Sequence, residues 1–410
     1  MPAFTRHLLS TMRPNHPLYL DYHATTPPDP RVLAAMRPWW EENFANPHSA
    51  EHAQGRAAEA AVEEARLHIA TLIGADPREI ILTSGATEAN NIAIKGVARF
   101  ANGGMFSGSS VAGPRRVITL ATEHKCVLES VRDLAAEGFE PVILPVGPDG
   151  MLDLETLAHA LRTPTLLVSV MAVNNEIGVI QDLAAIGAMT KAAGAAFHTD
   201  AAQAAGRIAL DVNAIQADLV SLTAHKLYGP KGVGALYVRR RPRMRLAPLF
   251  SGGGQERGLR SGTLAPPLVV GFGEAARIAA AEMVLDQGRI AGQRRRFLDA
   301  LGIPGIIVNG HAERRVAGNL NISFPGDVDA QALMAAAPNL CVSTGSACSS
   351  AAIEPSYVLR ALGITDARAR ATLRLGFGRF TSPAEADQAA AWLSAAWHQV
   401  LAHPRAANKD

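Results

Sequence analysis

The sequence predicts an α/β chain with a large domain on a mainly parallel, seven-stranded sheet and a smaller α+β domain. Three observations carry this. Short Val- and Ile-rich runs alternate with alanine-rich helical stretches from Ile80 to Val238, the pattern of a parallel sheet covered by helices. After about residue 280 that alternation gives way to a long Arg-rich helix and sparser strands. The chain has 410 residues, 48% of them apolar, enough for one large core and a satellite.

The elements follow in order. Ala58, Ala61, Val62, Ala65, Ile69 and Leu72 share one face of a helix over Gln54–Ile73, and Gly74 is placed to stop it. Strands are expected at Ile80–Thr83, Val117–Leu120, Val142–Leu144, Leu166–Val170, Ala196–Thr199, Leu219–Leu222 and Gly234–Val238. Ala101–Gly113, "ANGGMFSGSSVAG", reads as a flexible Gly/Ser-rich loop without chemistry. Strands at Asn319–Phe324 and Thr372–Phe377 and a final helix near Ala384–Leu401 complete the smaller domain. The boundaries this gives are 36–282 for the large domain, and 1–35 with 283–410 for the small one.

Composition excludes several classes. Lys plus Arg less Asp plus Glu is 39 − 37 = +2, without the basic excess of a nucleic-acid protein. Arg239–Arg241 and Arg294–Arg296 read as solvated element ends. Three cysteines, Cys126, Cys341 and Cys348, make no disulfide framework and no zinc motif, and they fit a reducing compartment. No apolar run is long enough to span a bilayer. The first 20 residues, basic and free of acids, faintly resemble a mitochondrial presequence; we read them as the N-terminus of a bacterial, cytoplasmic chain.

Ligands of open parallel sheets gather where strands end and helices begin, and four such junctions are unusual. "TSGATEANN", Thr83–Asn91, opens a helix near Thr87, whose bare backbone N–H groups and hydroxyl suit a phosphate; taken alone it reads first as ordinary capping. "FHTDAAQAAG" puts Asp200 just after a strand with Gln203 three residues on; such a carboxylate caps a helix or holds a proton on a heteroaromatic nitrogen. "SLTAHKLYGPKG" sets Thr223, His225 and Lys226 at another strand end, where a desolvated lysine amine becomes a nucleophile toward aldehydes. "TEHKCVLES" supplies His124, able to stack on a planar group and shuttle protons, or simply structural. A Schiff-base lysine, an acid for the pyridine nitrogen and a phosphate cradle together describe a pyridoxal phosphate site. Late in the chain, "STGSACSSAA" places Cys348 among side chains too small to pack around it.

These stretches, with "YLDYHATTPPDPRV", "VNNEIGVIQD", "GGGQERGLRSGTL", "GSACSSAAIEPSYVLRALG" and "LRLGFGRFT", resemble the cysteine desulfurases of the iron–sulfur-assembly type, the IscS/NifS group of fold type I pyridoxal phosphate enzymes in the class V aminotransferase family. The resemblance covers nearly the whole chain. It implies that Lys226 forms the Schiff base, Asp200 pairs with the pyridine nitrogen and Gln203 reaches the phenolic oxygen. It further implies that Ala86, Thr87, Thr223 and His225 hold the phosphate, and that Thr263 reaches the phosphate of a neighbouring subunit, hence a homodimer. His124 would stack on the ring as acid/base, Asn175 would lie near cofactor and substrate, and Arg374 would clamp the substrate carboxylate. Cys348, on a mobile loop at about 340–353, would take sulfur from L-cysteine as a persulfide, release alanine, and pass the sulfur to acceptors such as an iron–sulfur scaffold or toward tRNA thiolation. No firm metal site is implied, though Cys348 could transiently ligate a cluster. The tail "AHPRAANKD" lacks the tryptophan-containing extension with which relatives dock the scaffold. Two other readings compete: a relative acting on selenocysteine or in transamination, which needs no mobile thiol, and a sulfur-relay platform without turnover, which needs no Lys226, Asp200 or His124.

Overall fold

A computed structural model describes residues 17–103, 115–344 and 355–403 of the chain. It divides into two compact units: Thr25–Asn174 with Val179–Met283, and Met1–Ala24 with Asn175–Gly178 and Val284–Asp410.

The larger unit is built on a seven-stranded sheet. Its strands lie in the order Ile80–Thr83, Gly234–Val238, Leu219–Thr223, Ala196–Asp200, Thr165–Ser169, Arg116–Leu120 and Glu140–Leu144. The last five pair in parallel, while Gly234–Val238 runs antiparallel to both neighbours. Leu219–Thr223 and Gly234–Val238 are buried along their whole length, which is why they read as continuous apolar runs rather than alternating ones. Ile81, Ile92, Val97, Leu167, Leu219 and Leu236 form part of the core between sheet and helices. Gly234 has no room for a side chain: a Cβ there would lie 2.6 Å from Gly85 Cα. That close approach sets the loop leading into helix Ala86–Ala101 tightly against the sheet.

A buried ion pair ties helix Ala53–Leu72 to this sheet. The Arg66 guanidinium donates to both Glu256 carboxylate oxygens at 2.8 and 2.9 Å, and also to Ile80 O. Glu256 Oε2 accepts in addition from the Leu82 N–H at 2.6 Å. Both side chains are almost fully buried, so each requires the other.

Residues 25–35 belong to the larger unit, whereas the sequence places them in the smaller domain. Polar pairings that no hydropathy pattern reveals hold them there. Thr26 N and Oγ1 donate to His225 O at 2.9 Å, Asp29 N donates to Tyr228 O, and Arg31 bridges Asp29 and Glu282. The Arg-rich helix starts earlier than expected, running from Pro266 to Leu301.

The smaller unit contains an antiparallel sheet in the order Thr372–Gly376, Asn319–Ser323, Ile307–Val308, and a short parallel pairing of Leu18–Tyr19 with Leu340–Cys341. Phe297, Leu320, Ile322, Leu373, Phe377 and Leu393 pack in its core. Its last helix, Pro383–Ala402, begins with Pro383 at the first turn and a Ser382–Glu385 capping box. Residues 175–178 join this unit through Asn319 Nδ2, which donates to Glu176 O at 3.0 Å, and Val316 N, which donates to Gly178 O. Among the described residues no helix is long and apolar enough to cross a membrane.

Replacing Glu256 with Gln leaves the buried Arg66 charge opposite only the exposed carboxylate of Glu63. Stability in urea titrations is expected to fall by about 3 kcal/mol or more; an unchanged midpoint would contradict the role given to this pair.

Candidate active site

In the larger unit the site grows from the C-terminal ends of adjacent strands. Asp200 closes Ala196–Asp200 at 5% exposure, and each of its oxygens is engaged. Oδ1 accepts from Ala202 N at 2.9 Å and Oδ2 from Asn90 Nδ2 at 2.8 Å. On the next strand over, Thr223 closes Leu219–Thr223, and the chain turns at once through Ala224–Lys226. A lysine delivered by a single tight turn from a buried strand end is held close to the sheet. The Lys226 carbonyl accepts from Arg207 Nη2 at 3.1 Å, and Arg207 also donates to Gln203 Oε1. Arg207 therefore fastens the Asp200–Gln203 loop to the Lys226 turn.

His124 precedes helix Lys125–Asp133 and caps it, its Nδ1 accepting from Cys126 N at 3.2 Å. Burial lowers its pKa; the Asp200 carboxylate pulls upward and Lys226 pushes downward. Asp200 and Lys226 therefore both lie within electrostatic reach of His124. His225, half-buried and beside Lys226, Lys231 and Arg207, is depressed to about 4 and stays neutral near pH 7, with Nδ1 3.1 Å from Thr25 Oγ1.

The donor set fits a phosphorylated pyridine aldehyde. Helix Ala86–Ala101 begins with no side-chain cap, leaving first-turn N–H groups at Ala86 and Thr87 for an anion. A Cβ built on Gly85 would sit 4.0 Å from Thr223 Oγ1, so that hydroxyl borders the same helix end. Lys226 supplies an amine, and Asp200 supplies a desolvated carboxylate for a ring nitrogen.

Thr263 lies exposed in the loop after the turn Glu256–Gly258. Arg260 of that loop pairs with Glu88, in the first turn of helix Ala86–Ala101, at 2.9 Å. Among described residues nothing hydrogen-bonds the Thr263 side chain in the single chain. Cys348 lies outside the described residues.

In the smaller unit Arg374 is a strand residue, as its sequence suggests, and is 3% exposed. Its Nη2 pairs with Asp21 Oδ1 at 2.8 Å, its Nη1 donates to Asn175 O at 3.1 Å, and among the described residues its buried Nε meets no acceptor. The Asn175 Oδ1 atom is likewise buried without a donor. Arg374 and Ser343 exchange backbone hydrogen bonds, and Ser343 Oγ donates to Asp21. Sequence reasoning missed Asn90, Arg207 and Asp21. Asn90 had a signal: it interrupts the buried stripe of Ala89, Ala93 and Val97 on its helix. The partners of Asp21 and Arg207 are set by the fold alone.

Comparison with known proteins places this geometry. The aminotransferase class-V family profile matches residues 18–388, and the chain belongs to that family, whose members depend on pyridoxal phosphate. It is 55% identical over 374 residues to a mitochondrial cysteine desulfurase of Arthroderma benhamiae, covering 91% of this chain and 73% of that one. It is 52% identical over 375 residues to the cysteine desulfurase IscS of Rickettsia rickettsii, covering 91% and 89%. A solved NifS-like protein superposes with a TM-score of 0.85 at 32% identity, over 93% of this chain and all of that one. Within the family the chain is thus a cysteine desulfurase of the IscS/NifS type, on the fold type I framework.

One pH dependence follows from the sheet beneath the site. His198, fully buried between Ser169 Oγ and Ser221 Oγ at 2.8 and 3.0 Å, is depressed by burial from 6.5 to about 3. Below pH 6.5 the unfolded chain binds a proton there that the folded chain refuses. The stability it protects is present above pH 6.5 and lost as pH falls toward 3, by up to about 1.4 kcal/mol per pH unit. Urea midpoints taken between pH 7 and 4.5 should fall less steeply in His198→Asn than in the parent protein; equal slopes would refute this.

Proposed function

We propose that the chain removes sulfur from L-cysteine with pyridoxal phosphate held on Lys226, carries it as a persulfide on Cys348, and hands it to acceptor proteins such as an iron–sulfur scaffold. The observation that supports this reading most is the convergence of Asp200 and Lys226 on His124, with Asp200 bonded to Asn90 of the helix whose N-terminus has no side-chain cap. Bound there, the cofactor supplies an electron sink for the pair left when an amino acid loses its Cα proton.

The residues divide the remaining work. Ala86 and Thr87 N–H groups, the Thr223 hydroxyl and neutral His225 would hold the phosphate. Asp200 would keep a proton on the ring nitrogen, and Gln203 would face the phenolic oxygen. Arg374 and Asn175 would fix the substrate carboxylate, the guanidinium by its planar fork. Lys226 would take the Cα proton, and His124 would pass protons to and from the substrate. The Cys348 thiolate would attack the substrate sulfur; the carbon–sulfur bond breaks as the sulfur–sulfur bond forms, and the carbon skeleton, gaining a proton, leaves as alanine.

We further propose a homodimer in which Thr263 reaches the phosphate site of the neighbouring subunit, and residence in the cytoplasm, which fits three cysteines without a disulfide framework. The Arg260–Glu88 pair would brace that loop from its own side.

Cys348→Ala is expected to keep the yellow colour of the loaded enzyme while sulfide and alanine release from L-cysteine falls to background. Sulfide release at the parental rate would remove Cys348 from the mechanism. Arg374→Lys, which keeps the charge but loses the fork, should raise KM for L-cysteine about tenfold, a cost of about 1.4 kcal/mol. An unchanged KM would take Arg374 out of substrate binding.

A further inference from the structure

We propose that Cys126 is a positioning residue whose thiol, backed by Asn90, holds His124 in its neutral Nε2–H tautomer and ties that imidazole to the Asp200 carboxylate. The inference rests on the acid/base role proposed for His124 and adds how that role is prepared.

Hydrogen-bond bookkeeping fixes the direction of each contact. His124 Nδ1 lies 3.0 Å from Cys126 Sγ, and the Cys126 backbone N–H donates to the same nitrogen at 3.2 Å. A ring nitrogen that accepts from a backbone N–H carries no hydrogen of its own. The proton in the 3.0 Å contact is therefore the thiol's, donated by sulfur to Nδ1. The sulfur in turn accepts from Asn90 Nδ2 at 3.2 Å, and the same amide group donates to Asp200 Oδ2 at 2.8 Å. Asn90 is fully buried, and its orientation follows from these two acceptors. The chain His124 Nδ1, Cys126 Sγ, Asn90 Nδ2, Asp200 Oδ2 thus joins the proposed proton shuttle to the proposed partner of the ring nitrogen.

Burial and the Asp200 charge outweigh the downward pull of hydrogen bonds from Asn90 and Thr87 and push the Cys126 thiol up to about 12, which keeps its proton in place for donation across the working pH range. The charged groups that face His124 are Asp200, Lys226 and Lys125, with Glu123, itself buried and shifted upward, adjoining in the chain. With Nδ1 twice occupied as an acceptor, the ring presents an N–H at Nε2 and exchanges protons only there.

Cys126 cannot double as a sulfur carrier in this arrangement: a thiol held protonated by a buried carboxylate is a poor nucleophile. Its value lies in a weak donor placed where a water or a stronger acid would otherwise bond.

The test is NMR of the full-length protein labelled at histidine, whose ring carbon shifts separate the two neutral tautomers and give the titration midpoint. The parent should show His124 as the Nε2–H form. Cys126→Ala should raise its midpoint by about half a pH unit or more, the worth of one modest hydrogen bond to the neutral form. Cys126→Ser, which keeps a donor, should restore it. A parent His124 in the Nδ1–H form, or equal midpoints in the parent and Cys126→Ala, would overturn the proposal. In the loaded enzyme the acid limb of alanine formation should move up with the midpoint. A moved midpoint with an unmoved limb would support the Cys126 bridge while taking His124 out of the reaction.

Discussion

A carboxylate buried under a protein surface is the constraint around which the larger unit's chemistry is arranged. Asp200 sits at 5% exposure, where an uncompensated charge would cost several kcal/mol. The fold meets that cost with a backbone N–H at one oxygen and the Asn90 amide at the other. Because Asn90 stands on helix Ala86–Ala101, the same bond that satisfies the carboxylate also fixes the helix whose open end suits a phosphate. The sheet makes this possible: Gly234 lets the loop before that helix come within contact of the neighbouring strand, which a larger residue would prevent.

Much of this was legible in the sequence because strand ends are chemically conspicuous. The seven strands of the large sheet fall within a residue or two of the apolar runs that announce them, since most of their side chains are buried and apolar. Asp200 and Lys226 stand out for the opposite reason, as charged residues directly after such runs. What stayed hidden was pairing at a distance. Asp21 lies 353 residues from Arg374 in sequence, and Glu256 lies 190 from Arg66. No local pattern encodes such partners. The domain boundary erred for the same reason: Thr26, Asp29 and Arg31 are bound by hydrogen bonds, and hydropathy cannot see them.

The smaller unit carries its own version of the buried-charge problem. Arg374 is held by Asp21 and by the Asn175 carbonyl while its Nε remains without an acceptor, so the guanidinium is fixed in direction yet not saturated. In the role proposed for it, such a group would meet a planar anion with little loss of side-chain freedom, the entropic part of the task being met on folding.

The residues that hold Arg374 also hold the two margins of the segment bearing Cys348. Ser343, on one side, exchanges backbone bonds with Arg374, and Ser356, on the other, donates its hydroxyl to Glu176, next to Asn175. Covalent geometry then sets a leash. Five residues from a fixed Ser343, a fully extended chain reaches only about 17 Å. In the proposed role, sulfur on Cys348 would pass only to an accepting thiol that comes within that radius of Ser343, which bounds where on the recipient that thiol can lie.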